Sequence, residues 1–237
     1  MTPDYELILK IIKEFIPSIT TLLAAFFGAW FAYLFMTKQK LNEVRSTNIA
    51  AANRALFVLL QQLNCLKLIQ KDFLDPMRNR PEAFLAMLPI LPDDHSEIRH
   101  DINSLDFLLS TKYKQLLLDI WLEQQRFREA IRILNYRSNL HFSEVQPRLI
   151  AAGIQESKDY EITKFEQALG SHLFKTLKRT TEQVFYNVDR TVDSMDSLRA
   201  RLDAGLKDLF PEAEFLKFEV IKEEANQQIQ RTAYSRR

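Results

Sequence analysis

The densest group of metal-ligating side chains lies in one short stretch, "DDHSEIRHD", which holds Asp93, Asp94, His95, Glu97, His100 and Asp101. Glu97 and His100 are spaced E-x-x-H. On a helix that spacing turns a carboxylate and an imidazole to one side, as in the di-iron carboxylate proteins. Such a centre also needs a second E-x-x-H and two further glutamates on facing helices, and the chain has no second E-x-x-H. The His100-Asp101 step likewise lacks the partner residues a phosphohydrolase would require. The stretch reads as a polar connection flanked by prolines, so no metal and no other cofactor is expected.

Nucleophilic chemistry is no better supplied. The single cysteine, Cys65, lies between Leu63 and Leu66 in a helical run. That setting suits a structural thiol more than an activated nucleophile. An unpaired cysteine also fits a reducing compartment. His141 and His172 are isolated in helical surroundings. The four glycines, Gly28, Gly153, Gly170 and Gly205, are scattered. Phosphate-binding loops and nucleophile elbows need glycines clustered at fixed spacing, because the backbone must turn sharply against the ligand. P-loop, dinucleotide and G-x-S-x-G chemistry are therefore excluded, and no catalytic activity is expected.

Arg126, Arg128, Arg132 and Arg137 form a basic group, and Lys175, Lys178 and Arg179 form another. Glu123 and Glu129 interleave with the first, which suits solvated helix faces carrying i,i+4 ion pairs. With a net charge of +1 and no recognisable reading motif, no specific nucleic acid is expected as a partner. Arg231, Arg236 and Arg237 end a tail that can touch acidic headgroups.

The elements that would carry these residues begin with an apolar run. Residues 15–37 hold 23 consecutive residues without a charge. As a helix they cover roughly 34 Å, against a hydrocarbon core of ~30 Å. Trp30 and Tyr33 lie toward the C-terminal end, where amphipathic rings favour the interface, and Lys38 and Lys40 close it. Acidic residues near the start and a poor cleavage site argue against a removed signal peptide. The run is therefore expected to be an uncleaved, single-pass anchor in the lipid bilayer. Lys38, Lys40, Arg45 and Arg54 outnumber Lys10 and Lys13 before the run, which puts the C-terminal side in the cytoplasm. In a bacterium that means the inner membrane. Residues 1–14 form an amphipathic segment that lies along the interface or starts the membrane helix early, and Pro17 is expected to kink or break it. Ala24, Gly28 and Ala32 recur every fourth residue, a candidate helix-packing face.

Residues 38–210 read as a cytoplasmic helical region. No glycine or proline occurs between Ala29 and Asp75, so the membrane helix can continue unbroken. Ala52, Leu56, Leu59, Leu63, Leu66, Gln70 and Phe73 step by fours and threes, the seam of a coiled coil or bundle. Leu117, Ile120, Gln124, Phe127, Ile131 and Leu134 make a second seam. Val184, Val188, Thr191, Met195, Leu198 and Leu202 make a third that extends to Leu209. Gln70 and Gln124 interrupt the first two seams. In an antiparallel hairpin the two amides would meet and fix the register. Residues 75–104 hold four of the eight prolines and read as a connection with a short helix at "PEAFLAML". A short helix is expected to end at Gly153, and Gly170 to bend or divide the last one. Residues 211–237 form a tail with a disordered end.

The expected fold is all-α: one membrane helix continuing into an elongated coiled-coil-like bundle of about three long helices. Long seams also favour a homo-oligomer. The expected role is a membrane-anchored interaction protein, a scaffold or signal relay with a protein partner not identified by the sequence. The alternatives are a membrane-acting effector in stress or phage defence and a metal-dependent enzyme built on Asp93–Asp101.

Overall fold

The computed structural model describes residues 3–90, 95, 97–154 and 162–216, with side chains from Ile19 onward. The expected disordered end therefore falls mostly outside the described residues, as do Asp93 and Asp94. No strand occurs among the described residues. The helices are α1 (Pro3–Ile69), α2 (Ala83–Ala86), α3 (Lys114–Leu140), α4 (Gln146–Ala151), α5 (Ile162–Leu169) and α6 (Ser171–Leu209). The chain forms two compact units, Met1–Ala50 and Ala51–Arg237.

In the first unit the chain is helical from Pro3, and the helix runs through Pro17 without the expected break. From Ile19 to Met36 every side chain is exposed, including Phe26, Phe27, Trp30, Phe31 and Phe35. The helical run Ile19–Met77 is long and apolar enough to cross a membrane, and no described residue buries its most apolar window. Thr37 and Thr47 return their hydroxyls to the carbonyls of Tyr33 and Glu43 at 2.8 Å, which satisfies them without a partner outside the helix.

The second unit is built on the three seams. Ala52, Leu56, Leu59, Leu63 and Leu66 are buried from α1, and Ile120, Phe127, Ile131 and Leu134 from α3. Val184, Val188, Thr191, Met195, Leu198 and Leu202 are buried from α6. Phe73 leaves the first seam. A π turn at Gln70–Leu74 admits one extra residue per turn, and that phase shift turns Leu74 inward while Phe73 stays 40% exposed. Leu116 and Leu206 likewise take the inward places expected for Leu117 and Leu209.

Cross-helix contacts fix the directions. Between α6 and α3 with the turn before it, Lys112 pairs with Asp208, Asp119 with Arg201, Glu123 with Ser194 and Arg137 with Thr181. Rising numbers on one helix meet falling numbers on the other, so α3 and α6 are antiparallel. Lys67 pairs with Asp196 and Gln70 with Asp189, which makes α1 antiparallel to α6 as well. It follows that α1 and α3 run parallel, not as the antiparallel hairpin the amide pairing requires.

The parallel arrangement explains the length of the proline-rich connection. A parallel pair needs a crossover, and here the described residues among 78–113 lie along α3. Met87 sits at Arg137, the Ile90 amide bonds Ser138, Ile98 and His100 meet Gln124, and Phe107 meets Phe210 edge to face.

Beyond α3 a π turn at His141–Val145 leads into α4, which ends at Gly153 as expected. Gly153 takes φ +66°, its amide bonds the Ile150 carbonyl at 3.0 Å, and Ile154 bonds Leu149 at 2.9 Å. This paired geometry is a Schellman stop. Gly170, at φ +79°, divides α5 from α6. A small apolar core joins α2, α4, α5 and the start of α6 through Phe84, Leu149, Phe165, Leu169, Phe174 and Leu177.

Candidate functional site

The two seam glutamines do not meet. Gln124 is buried on α3, and its Oε1 accepts the Nε2–H of Gln62 at 3.0 Å and the backbone amide of His100 at 3.0 Å. Gln62 donates again to the Ile98 carbonyl at 2.9 Å. Gln70 instead donates to Asp189 at 2.8 Å, beside the bidentate Arg78–Asp189 pair at 2.6 and 2.7 Å. The Arg78 guanidinium and the Gln70 amide hold Asp189 below the usual carboxylate range. The cause of the difference is direction: in a parallel pair Gln124 faces a residue two turns earlier on α1. Gln62 lies on the flank of the heptad, where spacing alone assigns no burial.

Ala24, Gly28 and Ala32 share an exposed face of α1, and a Cβ built on Gly28 meets nothing within 4 Å. The arginines of α3 separate by role. Arg132 pairs with Glu129 at 2.6 Å on the surface, and Arg126 pairs with the buried Glu123. Arg137 is fully buried, so it belongs to no basic surface. Its guanidinium donates to the carbonyls of Phe84 and Leu88 at 3.2 Å, to that of Met87, and to the Thr181 hydroxyl at 3.3 Å. The carbonyls are those left open at the end of α2. Burial lowers Arg137 to about 10.

The stretch from Asp93 to Asp101 is described only at His95 and from Glu97 onward. Among the described residues no three His, Cys, Asp or Glu side chains converge. His100 is buried with neither ring nitrogen hydrogen-bonded to a described residue, and burial lowers it to about 4. His141 is lowered to about 4 by burial and by the neighbouring Arg137 charge.

His95 goes elsewhere: its Nε2 lies 3.4 Å from the sulfur of Cys65. The ring centroid sits 6.1 Å from that of Phe127. The pair opens onto a groove of about 480 Å³ whose walls include Leu68, Phe73, Ile90, Ile98, Ile131 and Leu134. Gln61, Asn64 and Asn135 add three carboxamides, and no carboxylate or Lys/Arg side chain lines it among the described residues. Thirty residues separate Cys65 from His95, so local sequence carries no signal for the pair. Only the crossover brings them together. No protein-family model, curated protein or solved structure matches the chain.

Proposed function

We propose that the protein is a single-pass, membrane-anchored helical interaction protein, a scaffold or a relay. Residues 51–209 would form a coiled-coil-like three-helix bundle on the cytoplasmic side, and the partners would be a second copy and a further protein. The observation that carries this reading is the exposure of the whole face set of Ile19–Met36. Phe26, Phe27, Trp30, Phe31 and Phe35 are between 52% and 70% exposed. Apolar surface of that extent in water is unfavourable by about 25 cal/mol per Å², and monomeric soluble proteins seldom present it. A bilayer supplies the missing apolar surroundings, and the internally satisfied helix backbone permits entry.

Carbonate extraction of membranes tests the anchor. The full chain should stay with the lipid pellet, and a variant with Leu23→Arg and Phe27→Arg should be released. Extraction of the unaltered chain would overturn the reading. A reporter fused after Arg237 tests the orientation, since phosphatase activity there would place the C-terminus in the periplasm. If expression instead stopped growth and admitted dye, the membrane-acting effector would replace the scaffold.

A further inference from the structure

We propose that Cys65 is a site of S-acylation, taking the acyl group of a long-chain acyl thioester, with His95 as its base. The thiol and the imidazole are within hydrogen-bonding reach at 3.4 Å. With the proton on Nδ1, Nε2 accepts the thiol proton as the sulfur attacks, the usual way a weak thiol nucleophile is activated. The ring stands against the buried Phe127, which keeps Nε2 at the sulfur.

The groove selects the electrophile. Its volume of about 480 Å³ is within the range of ligand pockets. Leu68, Phe73, Ile90 and Ile131 offer apolar contact to a hydrocarbon chain, and among the described residues the lining holds no Lys, Arg, Asp or Glu. The carboxamides of Gln61, Asn64 and Asn135 add polar lining to the same groove. The sulfur of Cys65 bonds to the acyl carbon while His95 takes the thiol proton. The tetrahedral intermediate then collapses, its bond to the departing sulfur breaks, and the imidazolium returns the proton to that thiolate. The products are an acyl thioester on Cys65 and a free thiol.

The test uses the full chain in detergent micelles with palmitoyl-coenzyme A as the probe. Intact-mass spectrometry should show one hydroxylamine-labile acyl group, absent in Cys65→Ser. Loss of a general base should slow acylation by about 100-fold in His95→Gln. Phe73→Ser should slow transfer from palmitoyl-coenzyme A more than transfer from acetyl-coenzyme A. Equal rates for His95→Gln and the parent, or for urea-unfolded and folded chain, would overturn the proposal. Equal sensitivity of both donors to Phe73→Ser would do so as well. If His95→Gln loses the parent's helical melt, Phe73→Ser decides alone, because that side chain is 40% exposed and its loss leaves the core intact.

Discussion

Arg137 reaches the Met87 carbonyl from inside the protein, a positive charge paired with no carboxylate among the described residues. Three backbone carbonyls and one hydroxyl replace the water the guanidinium gave up. The planar fork suits this, because it presents several N–H donors in fixed directions. The contact ties the first part of the crossover, α2, to both α3 and α6.

Arg137→Met keeps much of the volume and removes every donor. The carbonyls of Phe84, Met87 and Leu88 then lose their guanidinium donor in a buried site, which should cost about 3 kcal/mol. Arg137→Lys should recover part of that, since one ammonium cannot span all four acceptors. Urea unfolding of the chain in detergent reads both, and an unchanged midpoint for Arg137→Met would remove the clamp from the account.

The positions of Arg137 and of the Cys65–His95 pair show where sequence reasoning reaches its limit. Heptad spacing located the buried faces of α1, α3 and α6 because burial repeats every three or four residues along each helix. Gly153 and Gly170 were legible because a positive φ suits glycine. Helix direction was not legible. It depends on how far a connection travels, and the spacing within a helix is the same whichever way its neighbour runs. The amide pair, the buried arginine and the thiol–imidazole pair all follow from that direction.

Acid should weaken the protein between about pH 6.5 and 4. His100 and His141 are lowered from 6.5 to about 4 in the folded chain. In that window the unfolded chain binds more protons, so stability falls as pH falls. Each shift corresponds to about 3 kcal/mol when complete, as an order of magnitude. Thermal melts at stepped pH should fall steadily through the window. His100→Leu should reduce the slope by about one proton, and an unaltered slope would show that His100 is not the group responsible.

Self-association through the α1 face should respond to bulk. Gly28→Leu and Ala24→Leu each place a large side chain on the stripe, the first gaining helix propensity and the second losing little. A membrane two-hybrid signal should fall with either change. An unchanged signal would move the contact to other surfaces or remove it.

The amide network predicts an asymmetric mutant cycle. Gln62→Leu leaves Gln124 Oε1 with the His100 amide, and it also removes a buried Oε1 on Gln62 that has no partner. Its cost should be about 1 kcal/mol. Gln124→Leu strands the His100 amide and takes one acceptor from Gln62, so about 2–3 kcal/mol should be lost. The double replacement should cost less than the sum by about 1 kcal/mol, because the two side chains share one hydrogen bond at 3.0 Å. Gln70→Leu paired with Gln124→Leu should be additive instead, since Gln70 bonds Asp189 and shares no partner with Gln124. Urea denaturation of the six chains separates the two outcomes. Coupling between Gln70 and Gln124, with none between Gln62 and Gln124, would restore the antiparallel hairpin and refute the parallel arrangement of α1 and α3.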